Sequence, residues 1–442
     1  MNSKPVLKEK GYAHFDKRVR ADTFEAYVKS PESVAHHAFM PLIHFTKEDV
    51  RYSKTNGREK KKPRDLFYVS HKDAFMYQWY SNSLNSHYNK RVVKDGTNNC
   101  VVAYRNNKPG KFNAHFAKEA IDFIRKVESC YIIVGDFTGF FDNLEHAHLK
   151  KMLCDLLEVE RLRDDYWAVL KSVMQYSWFE FDDLTKLNDL KKFQEINKLP
   201  TVLPIAVFRE NKSTCLKKNR HRYGIPQGTP ISAFLSNLYM LCFDKQMNNL
   251  LSSAKGLYRR YSDDFIIVIP STIDLNEIWQ KIDSIIKSTP RIVLQEKKTK
   301  VFSYEDLKIL NCNSCLFPTI ANSKNELEYL GFAFDGERIS IREKTISKYY
   351  YRAYRRVDSA RLRKYGIIDK RADYYTLYKN YTHLGKSAKG KNRGNFLTYV
   401  DRCKKVFGEN EKVDIVSKKH WDKIQNRLNT PIVASDISTL KQ

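Results

Sequence analysis

The chain has 442 residues, of which 42% are hydrophobic, a length and composition that predict a globular protein of about two or three packed subdomains and exclude a disordered chain. Its 78 Lys and Arg residues against 51 Asp and Glu residues give a formal net charge of +27, spread along the sequence. That excess predicts a polyanionic partner, and the 13% aromatic content includes rings of the kind on which single strands stack beside cations, although much of it must be ordinary core.

The sequence indicates neither a membrane protein nor a secreted one. No apolar run approaches the roughly 20 residues that span a bilayer, and residues 1–10 lack the apolar segment of a secretory signal. The eight Cys residues are scattered, and Cys312 and Cys315 have no second Cys or His pair at the spacing of a zinc site. We therefore expect a cytoplasmic protein with reduced thiols and no membrane partner.

Two segments place acidic residues at the ends of predicted strands. The apolar run 131–134 predicts a buried strand that delivers Asp136 just after its end. Residues 257–269 predict a hairpin with Asp263 and Asp264 at its tip, because two β-rich segments flank a short polar turn. If these strands are neighbours in one sheet, the three carboxylates converge.

Helices are predicted on both sides of the hairpin. Apolar residues recur at helical spacing over residues 144–157 and 232–250. Residues 347–364 mix tyrosines with lysines and arginines and predict a strongly basic helix. Because no internal repeat or long linker interrupts the sequence, we expect one continuous multi-lobed domain.

Clustered carboxylates at one sheet edge suit phosphoryl transfer to a growing strand. That reaction needs a nucleophilic 3′-hydroxyl and a neutralised pyrophosphate, which two Mg²⁺ ions about 3.5 to 4 Å apart provide. Mg²⁺ prefers hard oxygen ligands, which Asp136, Asp263 and Asp264 would supply. An Asp-Asp pair in a turn is by itself more often simply solvated, so the assignment depends on the motifs around it.

The order of these motifs resembles that of bacterial reverse transcriptases, the group containing retron, group II intron and abortive-infection or defence-associated enzymes. The matching segments are DFTGFFDNLEH at 136–146 for the first metal-binding motif, GIPQGTPIS at 224–232 for nucleotide binding, YSDD at 261–264 for the catalytic hairpin, KT at 298–299 for the lysine-bearing motif, YLGF at 329–332 for the primer grip and VAYR at 102–105 for the fingers.

This resemblance implies an α+β right-hand polymerase fold. Its parts would be fingers over residues 1–130, a palm over 131–340 built as an antiparallel sheet with packed helices, and a basic helical thumb or C-terminal region over 341–442. An insertion of the fingers type would occupy residues 155–223 of the palm.

The resemblance also implies the metal ligands of the enzyme. Asp136, Asp263 and Asp264 would be the catalytic carboxylates that hold two Mg²⁺ ions, with Mn²⁺ as an alternative. The main-chain carbonyl of Phe137 would be a further ligand, while its ring belongs to the core.

Other residues are assigned to the nucleotide and the strands. Phe141 corresponds to the aromatic residue beneath the sugar, where a bulky ring excludes a 2′-hydroxyl; an ordinary core aromatic is the alternative, since Phe140 is adjacent. Arg105 and Lys298 correspond to residues that meet the triphosphate, with a surface ion pair and a plain exposed lysine as the alternatives. The remaining assignments are Pro226, Gln227 and Gly228 to the nucleotide pocket, and Tyr329, Leu330, Gly331 and Phe332 to the primer and template grip.

Residues 329–342 and 394–399 resemble most the abortive-infection and unclassified defence-associated branch. This second resemblance implies a bacterial antiphage enzyme that makes DNA from deoxynucleoside triphosphates on a dedicated non-coding RNA. A retron or intron-type reverse transcriptase, template-independent DNA synthesis and a non-catalytic RNA-binding scaffold are the alternatives. The template, the priming mode, and a homo-oligomer or an accessory effector protein are left open.

Overall fold

The computed structural model describes residues 7–47, 50–53, 57–60, 63–189, 193–364, 367, 373–386, 394–414 and 420–431. Helices and sheets are interspersed along these segments, so the predicted α+β class is confirmed. The first elements in the chain are α1 (Ala21–Lys29), α2 (Pro31–Ala35), β1 (Leu42–Lys47), β2 (Val50–Ser53), β3 (Gly57–Lys60), β4 (Arg64–Tyr68), α3 (His71–Lys94) and α4 (Asn113–Val127).

The largest described sheet lies within the central part of the chain, residues 130–341. Its elements are β5 (Cys130–Gly135), α5 (Phe140–Asn143), α6 (His146–Leu157), α7 (Asp164–Met174), β6 (Ser177–Glu180), α8 (Phe181–Leu187), α9 (Phe193–Ile196), α10 (Ile205–Cys215), β7 (Lys217–Lys218), α11 (Ser232–Tyr239), α12 (Leu241–Ser253), β8 (Leu257–Tyr261), β9 (Asp264–Pro270), α13 (Leu275–Ser288), β10 (Lys300–Glu305), β11 (Lys308–Asn311), β12 (Leu327–Tyr329), β13 (Phe332–Phe334) and β14 (Ile339–Ile341).

The C-terminal part is helical in its described segments, with α14 (Glu343–Lys364), α15 (Tyr374–Tyr381), α16 (Phe396–Phe407) and α17 (His420–Asn429). Asn395 caps α16 by accepting from the main-chain N–H groups of Leu397 and Thr398, as N-cap residues do. No helix in the described segments combines the length and the apolar character that crossing a bilayer requires.

Five antiparallel strands form the main sheet, in the order β11-β10-β5-β9-β8. Both of its faces are covered, because alternate residues of one strand enter different cores. On β5, Ile132 and Val134 pack with α4 and the β12–β14 sheet, whereas Ile133 packs with the helices α6, α11 and α13. The apolar run predicted as a buried strand is therefore buried on both sides.

A second sheet, in the order β4-β1-β6-β7, joins distant parts of the chain. β1 pairs antiparallel with β4 and parallel with β6, which lies more than 100 residues further on. Ser70 begins α3 after β4, because its side chain accepts from the main-chain N–H of Asp73. This sheet brings the region before α3 next to the segment between α6 and α11.

Observed and predicted helices differ in detail. The helix predicted over 232–250 is two helices, α11 and α12, separated at Met240, whose N–H donates to the Asn237 carbonyl in a tighter turn. The helix predicted over 144–157 begins at His146, and the basic helix predicted over 347–364 begins earlier, at Glu343.

A fully buried ion pair lies beneath the β8–β9 hairpin. Arg260 is 0% exposed, and its Nε and Nη2 donate to Asp244 Oδ1 and Oδ2 at 2.8 and 2.6 Å. The Tyr258 hydroxyl donates to the same carboxylate at 2.7 Å. The Nη1 of Arg260 donates to the main-chain oxygen of Ser262 at 2.8 Å, so the pair ties α12 to the turn of the hairpin.

Asp244→Asn should lower the free energy of unfolding by about 3–5 kcal/mol, because it leaves the Arg260 charge buried without a carboxylate. Asp165→Asn is the matched change, because Asp165 is also buried and also binds an arginine, Arg163, at 2.6 Å. The difference is that the Arg163 side chain is 60% exposed. Arg163 returns to water, so the loss should be smaller. Urea unfolding followed by circular dichroism measures both; equal losses would contradict the expectation.

Candidate active site

Strand pairing brings two of the three predicted aspartates together at one end of the inner strands β5 and β9. Gly135, the last residue of β5, pairs with Phe265 on the antiparallel strand β9. Asp136 follows Gly135 and Asp264 precedes Phe265, so they stand opposite each other where the pairing ends. Asp263 lies in the turn that leads into β9.

The turn of the β8–β9 hairpin has an unusual main-chain conformation. Tyr261 pairs with Asp264, so the turn contains the two residues between them. The first of these, Ser262, has a φ of 63°, where hairpin turns favour Gly. Ser262 is buried, and its carbonyl accepts the hydrogen bond from Arg260 described above. This bond stabilises a turn conformation that serine adopts at a cost.

Asp136 has one partnered and one unpartnered carboxylate oxygen. Its Oδ2 accepts from Lys298 Nζ at 2.6 Å, and its main-chain oxygen accepts from the N–H of Gln295 at 2.9 Å. Its Oδ1 is buried and has no hydrogen-bond partner among the described residues. A buried carboxylate oxygen is costly without a donor or a cation, so this atom marks a position for a ligand.

The carboxylates at this edge repel one another. Burial, followed by the charges of Asp263 and Asp136, raises the pKa of Asp264 to about 6, while Lys298 and Arg342 act in the opposite direction. Like charges that are held together in this way favour a bound cation.

These oxygen donors suit Mg²⁺, although the side chains are not gathered into a closed cluster. Among the described residues, no group of three or more His, Cys, Asp or Glu side chains is close enough to hold a metal ion. The unpartnered Oδ1 of Asp136 and the raised pKa of Asp264 nonetheless fit a divalent cation with a preference for oxygen, as Mg²⁺ and Mn²⁺ have. The ligand roles of Asp136, Asp263, Asp264 and the Phe137 carbonyl stay predictions.

The three aromatic residues of the first motif occupy different environments. Phe137 is buried, and its ring packs 5.3 Å from that of Phe265 between centroids. Phe140 is 3% exposed and belongs to the core, whereas Phe141 is only half-buried. The carbonyl of Phe141 accepts from the N–H of Ile225 at 3.0 Å, which ties this motif to the predicted nucleotide-binding loop, residues 224–232. Phe140 therefore serves as core, and the predicted contact of Phe141 with the sugar stays a prediction.

The predicted nucleotide-binding loop contacts β4 closely. The N–H of Phe67 donates to the carbonyl of Gln227 at 2.8 Å. Gly228 has a φ of 116°, and a Cβ there would lie 2.6 Å from the Phe67 carbonyl oxygen, so only Gly fits. The Pro226 carbonyl accepts from the Ser232 hydroxyl at 2.7 Å, which closes the loop onto α11.

A cavity of about 800 Å³ opens in front of Asp136 and Asp264. We call it the catalytic cavity. Tyr329, Leu330 and Gly331 line it, so the predicted grip turn shares this cavity with Asp136 and Asp264. Phe332 does not line it: this residue is 1% exposed and its ring packs against another aromatic ring in the core. Lys298 lines the cavity beside Asp136, and the other residues that line it are Val102, Tyr104, Arg105, Lys108, Lys111, Phe112, Asn113, Phe116, Val134, Gly135, Tyr261, Phe265, Lys300, Glu328 and Arg342.

Arg105 reaches the catalytic cavity, but its guanidinium is engaged within the protein. Nε and Nη2 donate to Asn89 Oδ1 at 3.1 and 2.8 Å, and Nη2 also donates to Asn98 Oδ1 at 2.8 Å. Nη1 donates to the Val101 carbonyl at 3.2 Å. A grip on phosphate would require these bonds to be exchanged, so the predicted triphosphate contact of Arg105 stays a prediction.

Three residues with structural consequences here were not singled out from the sequence. Arg260 and Asp244 support the hairpin, and Arg342 lines the catalytic cavity while contacting Glu328 at 3.5 Å. The position of Arg260, directly before the YSDD motif within a predicted strand, was the available signal.

The sequence profile of the reverse transcriptase (RNA-dependent DNA polymerase) family matches residues 88–334, more than half of the chain. The chain belongs to this family. The predicted family, the reverse transcriptases, is thereby confirmed.

Among solved structures, the chain is similar to telomerases from two yeasts. Apo telomerase from Candida tropicalis, truncated from its C-terminal domain, has 13% identity and a TM-score of 0.42 over 73% of this chain and 59% of that one. Telomerase from Candida albicans in complex with the TWJ fragment of telomeric RNA has 11% identity and a TM-score of 0.39 over 96% and 65%. The chain thus spans less than two thirds of either structure. No protein of curated function matches it.

Asp264→Asn should stabilise the folded protein at pH 8 and have little effect at pH 4. Because the folded state raises the pKa of Asp264 from 3.8 to about 6, the folded protein binds this proton more tightly than the unfolded chain does. The free energy of unfolding of the wild type therefore falls as pH rises from 3.8 to about 6, whereas that of the variant does not fall for this reason. The carboxylate opens onto the catalytic cavity, so solvent screening limits the gain to about 1 kcal/mol.

Thermal unfolding in EDTA at pH 4, 6 and 8 measures this effect. Asp306→Asn, in the turn between β10 and β11, controls for the loss of an aspartate from a hairpin turn. A lower melting temperature for Asp264→Asn at pH 8 would contradict the repulsion argument.

Proposed function

We propose that the protein is an RNA-directed DNA polymerase that adds deoxynucleotides to a 3′-hydroxyl by two-metal catalysis at Asp136, Asp263 and Asp264. The observation that carries this proposal is the pairing of β5 with β9, which sets Asp136 opposite Asp264 at an edge facing the catalytic cavity. The unpartnered oxygen of Asp136 and the raised pKa of Asp264 support it, because bound divalent cations would relieve both.

The metal ligands have distinct roles in this proposal. Two Mg²⁺ ions bound there, or Mn²⁺ in their place, would make the 3′-hydroxyl nucleophilic and neutralise the pyrophosphate. Asp136 and the main-chain carbonyl of Phe137 come from the end of β5, Asp263 completes the set, and Asp264 is a ligand or supports one. Lys298 gives a proton to the departing pyrophosphate, a role that its 2.6 Å contact with Asp136 supports.

The incoming deoxynucleoside triphosphate binds between the catalytic cavity and the nucleotide-binding loop. Phe141 lies beneath the sugar, and Gln227 and Gly228 form the pocket, with Pro226 closing the loop. The half-buried state of Phe141, and the bond that its carbonyl accepts from the N–H of Ile225 in this loop, support the arrangement. The bonds of Arg105 organise the segment that carries Lys108, which lines the cavity, and Arg105 meets the triphosphate after exchanging them.

Primer and template are held by the β12–β13 turn. Tyr329, Leu330 and Gly331 line the same cavity as Asp136 and Asp264, which supports a grip on the strand that ends there. Phe332 anchors this turn in the core. In this arrangement, fingers span residues 1–130, the palm spans 131–340 with an insertion over 155–223, and the thumb or C-terminal region spans 341–442.

The biological role that we propose is bacterial antiphage defence in the cytoplasm, with a dedicated non-coding RNA as template and DNA as product. Its support is the resemblance of residues 329–342 and 394–399 to the defence-associated branch. A basic chain of net charge +27 is suited to retaining such an RNA during purification. Sequencing the nucleic acid that copurifies identifies the template, and an intron or retron RNA in its place would overturn the defence role.

Asp263→Asn should reduce incorporation of deoxynucleotides on the copurified RNA by at least about 10²-fold, because a charge aimed at the reacting centre is lost. Asp306→Asn should leave incorporation unchanged. This control changes an aspartate in a turn at the opposite end of the same sheet, since β10 runs antiparallel to β5. Labelled-nucleotide incorporation measures both, and equal rates for wild type and Asp263→Asn would favour the RNA-binding scaffold instead.

Phe141→Ala should relax discrimination against ribonucleotides by about tenfold or more, because a 2′-hydroxyl then finds room beneath the sugar. Phe140→Ala removes an identical ring from the adjacent, buried position, so it should lower stability without changing the choice of sugar. Competition between dCTP and CTP in single-nucleotide extension measures discrimination. Unchanged discrimination in Phe141→Ala would remove the assignment.

A further inference from the structure

A second cavity, of about 820 Å³, lies where α6, α7 and β6 meet the segment that leads into the nucleotide-binding loop. It shares no lining residue with the catalytic cavity. Its walls carry four cationic side chains against one carboxylate, that of Glu145. The four are Lys150, Lys218, Arg220 and Arg222. We call it the basic cavity.

The charge of the basic cavity is not neutralised within the protein. Lys150, Lys218, Arg220 and Arg222 are all exposed, and none forms a salt bridge with a carboxylate in the part of the chain that the structure describes. The neighbouring Lys217, by contrast, contacts Glu180 at 2.9 Å. Cations held together without counter-charges attract an anionic ligand with several negative groups.

The main chain beneath these cations is held in one conformation. Asn219 Nδ2 donates to the carbonyls of Met174 and Tyr223, both at 3.1 Å, while its Oδ1 accepts from the N–H of His221 at 3.1 Å. The N–H of His146 donates to the Arg222 carbonyl at 2.9 Å. The main-chain positions from which the cationic side chains extend are therefore fixed before any ligand binds, which lowers the entropic cost of binding.

Aromatic rings stand beside the charges. Trp167 is half-buried in the wall, and the Lys150 ammonium lies 4.7 Å from its ring centroid. His221 lines the cavity and stacks on Tyr223, with the ring centroids 4.8 Å apart and the planes at 25°. Alternating cations and aromatic faces match the repeating phosphates and bases of a single strand. An acidic peptide would use the cations and leave the rings without a partner.

We infer that the basic cavity binds a short single-stranded segment of RNA, separately from the strand held in the catalytic cavity. Its phosphates contact Lys218, Arg220 and Arg222, and a base stacks near Trp167. The inference rests on the proposed function in one respect: the strand is RNA because RNA is the proposed template. The site adjoins the nucleotide-binding loop, since His146 Nε2 contacts the Gly224 carbonyl at 2.8 Å. RNA beyond the copied region is thereby anchored to the enzyme.

The test uses full-length protein whose catalytic cavity is first saturated with a primer–template hairpin. Binding of a labelled 12-nucleotide oligouridylate is then measured by fluorescence anisotropy across a series of salt concentrations. Wild type should bind one oligonucleotide. Arg220→Gln with Arg222→Gln should weaken binding about tenfold or more and reduce the slope of log K against log salt by about 1.4, at roughly 0.7 for each lost single-strand phosphate contact.

The matched control is Lys94→Gln with Lys126→Gln, which removes the same charge from exposed positions in the last turns of α3 and α4. It should keep both affinity and slope. Trp167→Leu should weaken binding about tenfold with little change in slope, because it removes stacking and no charge.

Three outcomes would overturn the inference: no binding to the hairpin-saturated protein, equal weakening by the control pair, or equally tight binding of uridine monophosphate, which would indicate a free-nucleotide site. Extension of the primer–template hairpin distinguishes failure of this inference from failure of the proposed function. The two-arginine variant should extend it normally, whereas Asp263→Asn should bind the oligouridylate normally and fail to extend.

Discussion

A guanidinium that is excluded from water holds the turn that carries Asp263 and Asp264. Arg260 donates to both oxygens of Asp244 and, through Nη1, to the carbonyl of Ser262, the residue with the left-handed conformation. The arrangement joins α12 to the hairpin, and the main chain of Arg260 also bonds the segment before Arg105. Burying an ion pair seldom adds net stability, so its value here lies in specifying one turn geometry.

The catalytic edge itself is electrostatically unfavourable in isolation. Asp264 holds its proton more tightly than a free carboxylate does, and Asp136 keeps a buried oxygen without a donor. Folding energy from both faces of the main sheet opposes this cost, since β5 and β9 are apolar on both sides. The protein thus concentrates negative charge where the paired strands of a sheet are held together by packing on both faces.

Much of the site could be predicted because its elements are local in sequence. The apolar run before Asp136 and the β-rich segments around Asp263 and Asp264 gave the correct strands, and the motif order gave the family. The motif at 224–232 was assigned to the nucleotide pocket, and in the structure its Gly228 adopts a conformation that only Gly adopts easily.

What could not be predicted depends on contacts between distant segments. The sequence around Arg260 does not indicate that Asp244 is its partner. The hydrogen bonds that engage the Arg105 guanidinium come in part from Asn89 and Asn98, two asparagines that precede it. The basic cavity is assembled from three stretches of chain, around residues 145–150, 167–177 and 218–222. Individually each stretch is an ordinary polar surface, and only the fold brings their charges together.

The contact between Gly228 and Phe67 has a mechanical consequence. Two main chains that approach so closely, and share a hydrogen bond, leave no room for either one to shift independently of the other. The β4 strand and the loop at 224–232 therefore form one stiff unit of the structure. A bulkier residue at position 228 would push β4 away from the loop and strain the main chain of both.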